Sequence, residues 1–206
     1  ALFTTGLMMV IITGAELFTG NTLIVVSCLE GSSKWSGLLK NWLFVYIGNF
    51  IGSMIVVIFI LLSGQFNFSS GMLGGYTIKT AVYKVSLSFI GAFFMGVLGN
   101  WLVCMAVWMA SAARDITGKL LAIFFPIWLF VTSGFEHSIA NMYYVPAGIL
   151  AKSNQAWVDA ALSMGVAARD VNALNWGSFF LKNLVPVTLG NIIGGTIFVG
   201  TMYWLS

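Results

Sequence analysis

The sequence predicts an all-α membrane protein that crosses the bilayer several times and contains two broken helices. Hydrophobic residues make up 59% of the chain and charged residues 7%, with a mean hydropathy of +0.97, whereas soluble domains carry about 25% charged residues. The apolar runs are continuous and lack the alternation of lipid-facing and lumen-facing residues that a β-barrel needs, so the spans must be helices. Two of these runs are interrupted by matched polar stretches, which is the pattern expected of a transport site near the bilayer midplane.

The two interruptions share glycine, glutamate and asparagine at the same spacing. The first is Gly14-Ala15-Glu16-Leu17-Phe18-Thr19-Gly20-Asn21, and the second is Gly134-Phe135-Glu136-His137-Ser138-Ile139-Ala140-Asn141. The second contains the only histidine of the chain, next to one of its six acidic residues. A carboxylate and an imidazole at membrane depth are costly and therefore need a compensating role.

The first half of the chain reads as one broken span followed by one whole span. Residues 1–28 form two half-segments, each too short to cross about 30 Å of hydrocarbon, and residues 29–40 form a short polar loop. Residues 41–62 are a full span, in which Gly48 and Gly52 are spaced for close helix packing.

The second half reads as whole span, broken span, whole span, over residues 85–112, 120–150 and 178–205. Residues 63–84 and 151–177 are polar and are predicted to be loops, the first with room for a short surface helix. Pro186 predicts a kink in the last span.

A further internal similarity supports a repeat. Residues 41–52 align with residues 183–194, with Asn, Val, Gly, Asn, Ile and Gly at equivalent positions. We interpret the chain as a single channel domain, 1–206, built from repeat one, 1–62, which lacks its first helix, and repeat two, 85–206. A three-helix unit predicts one more helix before Ala1. Because three is odd, the two units have opposite orientations and form an inverted repeat.

A helix interrupted inside the membrane leaves N–H groups and a helix dipole that attract an anion. We expect Thr19 and His137 to line a pore and to donate hydrogen bonds to a solute there. The alternative for a lone histidine is an ordinary buried residue. Glu16 and Glu136 would repel an anion, so we expect them to brace the loops by accepting hydrogen bonds from local N–H groups.

Other residues near the breaks have predicted roles. Asn100 and Asn191 are expected to bind backbone groups that the broken helices leave free, and Asn141, within the second interruption, is assigned to the central site. Lys84 either attracts anions at the pore mouth or extends its ammonium group to the interface. Apolar residues that flank the breaks are candidate constrictions, with ordinary packing as the alternative: Phe3, Leu7, Leu17, Phe18 and Phe130.

At these residues the chain resembles the formate/nitrite transporter family over essentially its whole length. The motifs that carry the resemblance are Gly14-Ala15-Glu16-Leu17-Phe18-Thr19-Gly20, Lys40-Asn41-Trp42, Gly99-Asn100-Trp101-Leu102-Val103-Cys104-Met105-Ala106, residues 133–142, and Pro186-Val187-Thr188-Leu189-Gly190-Asn191-Ile192-Ile193-Gly194-Gly195. The resemblance implies an aquaporin-like six-helix protomer that assembles as a homopentamer, with a pore in each protomer. It also implies that His137 and Thr19 are the central pore residues, that Phe3, Leu7, Leu17 and Phe130 form constrictions, and that Lys84 and Asn191 lie near the pore.

The function predicted is a channel or transporter for a small monovalent weak-acid anion: formate, nitrite or hydrosulfide. An anion is drawn into a vestibule and is protonated near His137, so membrane lipid and protons are the other expected partners. The expected location is the inner cell membrane of a prokaryote. Which anion is preferred, and whether transport is coupled to protons, stays open.

Rival functions have less support from the sequence. A neutral-solute channel of the aquaporin type would need paired Asn-Pro-Ala loops, but Met142 follows Asn141. An enzyme would need a nucleophile or metal ligands beside Glu136 and His137, so we expect no enzyme activity, cofactor or metal. The nine Lys and Arg residues are scattered, which argues against nucleic-acid binding, and Cys28 and Cys104 lack CxxC spacing and are interpreted as packing residues.

Overall fold

The computed structural model describes residues 3–206, and this part of the chain is helical with no strand. The helices are α1 (Thr4–Thr13), α2 (Ile24–Leu29), α3 (Trp35–Leu62), α4 (Met72–Ser86), α5 (Phe89–Ala112), α6 (Ile116–Thr132), α7 (Ser138–Ala151), α8 (Gln155–Ser163), α9 (Ala168–Ala173) and α10 (Trp176–Leu205). Short 3-10 segments occur at Gly20–Leu23 and Gln65–Asn67. Helices α3, α5 and α10 are each long and apolar enough to cross a membrane, which agrees with the predicted polytopic all-α class.

The chain divides into two compact units, each assembled from separate stretches of sequence. The first unit comprises Ala1–Gly48, Phe93–His137 and Val187–Ser206, and the second comprises Asn49–Ala92 and Ser138–Pro186. The first unit therefore contains the whole first interruption and the second interruption as far as His137.

In the first unit, α1 packs on α6, and α2 packs on the C-terminal part of α10. Leu7 of α1 lies in an apolar cluster with residues of α5 and α6: Val103, Ala106, Ala110, Ile123 and Ile127. Helices α5 and α10 approach so closely that a Cβ added at Gly190 would collide with backbone atoms of Phe93, Val97 and Gly96. This contact brings the backbones of two membrane-spanning helices together.

In the second unit, α4 packs against α7 and α8. A Cβ added at Gly75 would lie 2.7 Å from the Cβ of Ala160, and one added at Gly74 would lie 2.5 Å from the Trp157 ring. The glycines of α4 are thus sites of close helix contact, and they do not mark a flexible loop.

Two predicted loops are therefore wrong. Residues 63–84 contain most of α4, whose buried side is made by residues three or four apart, including Ile78, Ala81 and Val85. Residues 151–177 contain α8 and α9. Helix α8 begins where the Asn154 side chain accepts a hydrogen bond from the N–H of Ala156 at 3.0 Å.

Other boundaries and contacts also differ from prediction. Helix α3 begins at Trp35, within the predicted 29–40 loop. The helix can extend beyond the hydrocarbon because the long side chain of Lys40 reaches water. Gly48 and Gly52 have nothing within 4 Å of an added Cβ, so the predicted close packing at these glycines does not occur within the protomer.

The last helix is irregular near the predicted proline kink. It is wound as a π-helix over Phe179–Leu184, directly before Pro186, and again over Thr196–Thr201. The proline ring would clash with the carbonyl four residues earlier in a regular α-helix, and proline has no N–H to bond to that carbonyl. The π-helical turn avoids the clash without ending the helix.

Candidate functional site

The first break has a defined backbone structure. Helix α1 ends at Thr13, and Gly14 adopts the left-handed conformation with φ of +70°. The N–H of Ala15 then donates back to the carbonyl of Val10 at 3.0 Å. The chain resumes helical winding at Gly20, in the 3-10 segment that leads into α2.

The second break uses the same turn. Helix α6 ends at Thr132, Gly134 is left-handed with φ of +68°, and the N–H of Phe135 donates back to the carbonyl of Phe130 at 3.3 Å. In both breaks, the residue after a left-handed glycine bonds to a carbonyl five residues earlier, which satisfies a carbonyl at the helix end. The two predicted interruptions are confirmed as breaks, and their closing turns match.

Thr19 and His137 are brought together by the two breaks. The Thr19 hydroxyl and His137 Nε2 are hydrogen-bonded at 2.8 Å. Thr19 is 0% exposed and His137 is 6% exposed. A hydroxyl can donate and accept, and an imidazole can do either according to its protonation, so this pair can exchange its hydrogen bond for one to a small polar solute.

Two asparagine amides hold the backbone on either side of this pair. Asn100 Nδ2 donates to the carbonyl of Thr19 at 3.2 Å and to that of Asn191 at 2.6 Å. Asn191 Nδ2 donates to the carbonyl of Glu136 at 3.1 Å and to that of Gly96 at 2.8 Å. Both asparagines are fully buried. They bind backbone carbonyls at the two breaks, as predicted, and they also link one break to the other.

Thr22 and Cys104 complete the surroundings of the Thr19 carbonyl. Thr22 Oγ1 donates to it at 2.6 Å, and Cys104 Sγ donates to it at 3.3 Å. Sequence reasoning missed both residues in this role, and Cys104 is more than the packing residue that was predicted. The available signal was spacing, because Cys104 follows Asn100 by four residues and so lies on the same face of α5.

The two matched glutamates lie in different environments. Glu136 is 1% exposed, and its backbone N–H donates to the carbonyl of Met95 at 3.2 Å. Glu16 is exposed, and its carboxylate accepts a hydrogen bond from the amide of Asn21. Asn21 also donates to Asn41 Oδ1 at 2.8 Å. Glu16 thus accepts a hydrogen bond from a side-chain amide at the first break, and bracing by backbone N–H donors stays a prediction.

The predicted constriction residues lie in the first unit, as Thr19 and His137 do. Phe130 faces the His137 ring at a centroid distance of 6.1 Å and the Phe3 ring at 5.8 Å. Leu17 packs against the apolar cluster that contains Leu7. Phe18 is buried against the rings of two residues of α3, at centroid distances of 5.9 Å for Trp42 and 4.8 Å for Tyr46.

Lys84 and Asn141 lie in the second unit. Lys84 is in the last turn of α4, with Nζ 5.5 Å from the centroid of the Tyr144 ring, within cation–π range. Asn141 Nδ2 donates to Asn183 Oδ1 at 2.7 Å, and Asn183 Nδ2 donates to the Lys84 carbonyl at 2.9 Å. Sequence reasoning missed Asn183 and Tyr144, although Asn183 is the residue that the internal alignment pairs with Asn41.

No group of three or more His, Cys, Asp or Glu residues that could hold a metal ion occurs within residues 3–206.

Comparisons with known proteins give matches over essentially the whole length of the chain. The model of the formate/nitrite transporter family matches residues 1–205. The chain is 41% identical over 206 residues to the formate channel FocA of Escherichia coli (strain K12), covering 98% of this chain and 71% of that protein. It is 39% identical over 220 residues to the probable formate transporter of Methanothermobacter thermautotrophicus, covering 100% of this chain and 73% of that protein.

A solved structure of a pentameric formate channel with formate bound is also similar, with 42% identity and a TM-score of 0.88 over 98% of this chain and 79% of that one. The relatives are transport proteins and not enzymes. Taken with the two breaks and the helices that can cross a membrane, these similarities show that this multi-pass membrane protein belongs to the formate/nitrite transporter family.

Proposed function

We propose that the protein is a channel for a small monovalent weak-acid anion: formate, nitrite or hydrosulfide. The observation that carries the proposal is the buried Thr19–His137 hydrogen bond, formed where two broken segments of an apolar chain meet. The functions of the relatives support formate as the first substrate to test. They do not favour a neutral-solute channel of the aquaporin type.

The Thr19–His137 pair gives an anion hydrogen bonds in surroundings that otherwise penalise charge. Removing a small anion from water costs several kcal/mol, and the cost is only partly recovered from fixed partners. A proton delivered from or through His137 converts the anion to its neutral acid, which crosses apolar surroundings at much lower cost. Anions of strong acids, such as chloride, do not accept this proton and are disfavoured.

The other predicted site residues act on entry and passage. The positive charge of Lys84, oriented by Tyr144, attracts anions to the vestibule. Phe3, Leu7, Leu17, Phe18 and Phe130 form the apolar constrictions that exclude hydrated ions. Asn141 holds Asn183, which donates to the Lys84 carbonyl, and so steadies the end of α4 that carries Lys84.

We further propose a homopentamer in the inner membrane of a prokaryote, embedded in lipid and exchanging protons with the transported acid. Support for the pentamer comes from the similar pentameric formate channel. The repeats at 1–62 and 85–206 are proposed to be related by inversion. The matched left-handed glycines, Gly14 and Gly134, support the repeat itself.

His137→Ala is the direct test of the central site. We expect formate flux into proteoliposomes to fall roughly 100-fold, the size expected when a positioned proton donor is lost, and its dependence on pH to flatten. Flux of formate, nitrite and hydrosulfide should be measured from pH 5 to pH 8, with glycerol swelling as the test of the neutral-solute alternative. Cys28→Ala, at a buried residue outside the break network, is the control. Unchanged pH-dependent flux in His137→Ala would contradict the proposal.

Lys84→Gln tests anion attraction. We expect formate uptake at low salt to fall about tenfold, and the difference from wild type to shrink as ionic strength rises, because salt screens a steering charge. The matched control is Lys79→Gln, on the same helix, where the exposed lysine donates to the carbonyl of Met164. Equal, salt-independent losses in both variants would show that Lys84 has no steering role.

A further inference from the structure

The carbonyl of Thr19 has three side-chain donors of different origin. Thr22 Oγ1 lies 2.6 Å away, Asn100 Nδ2 3.2 Å away and Cys104 Sγ 3.3 Å away. The bond from Thr22, three residues along the chain, is of a common local type. The other two come from α5, far away in the sequence.

The three donors also contact one another, so they form a single cluster, the Thr19 carbonyl clamp, made of Thr22, Asn100 and Cys104. Asn100 Nδ2 donates to Thr22 Oγ1 at 3.2 Å. Cys104 Sγ lies 3.2 Å from Thr22 Oγ1 and 3.6 Å from Asn100 Oδ1, so its single proton is shared between these acceptors and the Thr19 carbonyl. The side chains of all three are fully buried, or nearly so.

Gly195 of α10 closes the clamp from the other side. A Cβ added there would overlap Thr22 Oγ1 and would lie 2.6 Å from Asn100 Nδ2 and 2.8 Å from Cys104 Sγ. A residue with a side chain therefore does not fit at position 195 without displacing the clamp.

One carbonyl needs one or two donors to be satisfied in a buried position, and Asn100 with Thr22 already supplies them. A third donor adds orientation. Threonine is branched at Cβ and has few χ1 rotamers, so holding the peptide plane of Thr19 limits its hydroxyl to a few directions. That hydroxyl is the group bonded to His137.

We propose that Thr22 and Cys104 are positioning residues that hold the Thr19 hydroxyl against His137 Nε2. This inference rests on the proposed function for its effect on transport, but its geometry can be tested independently of transport.

The single histidine makes the test specific, since ¹⁵N-histidine labelling reports only on His137. The measurement is the Nε2 resonance of the labelled full chain in lipid bilayers by solid-state NMR, for wild type, Thr19→Val, Thr22→Val, Cys104→Ala and Cys104→Ser. We expect Thr22→Val and Cys104→Ala to move the resonance in the direction that Thr19→Val moves it. Cys104→Ser, which keeps a donor, should remain near wild type.

Two controls remove comparable groups elsewhere in the same unit. Thr196→Val removes a hydroxyl that donates to the carbonyl of Ile192 in its own helix, and Cys28→Ala removes a buried thiol. Neither should move the resonance. If Thr22→Val does not fold, the smaller change Cys104→Ala decides the question. The proposal is overturned if Cys104→Ala leaves the resonance at its wild-type position, or if Thr19→Val itself does not move it.

Formate flux separates this proposal from the proposed function. We expect Thr22→Val to lower flux about tenfold, as small displacements of a positioned group do, and the double variant with Thr19→Val to be no worse than Thr19→Val alone, since Thr22 acts through Thr19. Additive losses would contradict positioning. Wild-type flux in Thr19→Val, with the resonance shifts still present, would refute the proposed role of Thr19 in transport while the positioning stands.

Discussion

Gly190→Ala is expected to lower the free energy of unfolding by about 2–3 kcal/mol, at the upper end of the cost of overpacking a tight contact. The added Cβ would overlap the carbonyl of Phe93 and would lie 3.0 Å from the Val97 nitrogen and 3.1 Å from the Gly96 Cα. All three are backbone atoms and cannot rotate away, so α5 and α10 must separate. The loss should be measured as a shift in the unfolding midpoint of the purified protein in detergent, with formate flux measured in parallel.

The matched control is Gly48→Ala. The internal alignment places Gly48 opposite Gly190, yet an added Cβ at Gly48 meets nothing within 4 Å. Its expected effect on the free energy of unfolding is within about 0.5 kcal/mol, as for surface substitutions. If both variants lose stability equally, the loss in Gly190→Ala does not come from the contact between α5 and α10.

Asn100→Leu and Asn191→Leu are expected to cost about 2–4 kcal/mol of unfolding free energy each and to reduce formate flux strongly. Leucine has nearly the shape of asparagine, so packing is kept while buried carbonyls lose a donor, at about 1–3 kcal/mol per group. Asn100 serves the carbonyl of Thr19 at one break, and Asn191 serves that of Glu136 at the other. Each change therefore loosens a residue at or beside the Thr19–His137 bond.

Asn41→Leu serves as the control for these two variants. Asn41 is half-buried on α3 and accepts a hydrogen bond from Asn21 at 2.8 Å. We expect it to lose about 1 kcal/mol, the net contribution of one ordinary hydrogen bond, with flux near wild type. Wild-type unfolding midpoints in Asn100→Leu and Asn191→Leu would show that these amides do not support the breaks.

The breaks could be predicted from sequence because polar groups are rare in apolar spans and their cost requires a local reason. The same argument predicted that Asn100 and Asn191 bind backbone groups. Helices α4 and α8 could not be predicted in this way, since Gly74 and Gly75 of α4 look like loop residues until the contacts with Trp157 and Ala160 are known.

The internal repeat predicted matching residues but not matching surroundings. Glu16 and Glu136 occupy equivalent places in the two breaks, yet one is exposed and the other is buried. The two aligned glycines, Gly48 and Gly190, differ in the same way. Sequence similarity constrains the local turn, which depends on a few neighbouring residues, whereas burial depends on which distant segments fold against it. For this reason Thr22 was not predicted, whereas Cys104 could have been recognised from its spacing to Asn100 on α5.

The placement of Asn191 on α10, the last of the described helices, has a consequence for biosynthesis. A nascent chain that has been synthesised only as far as Pro186 carries both interruptions but lacks the stretch Val187–Ser206 that the first unit requires. The amide that secures the Glu136 carbonyl belongs to Asn191, which is translated 55 residues after Glu136. Co-translational insertion can therefore place the earlier spans in the bilayer, but the first unit becomes complete only after synthesis has passed α10.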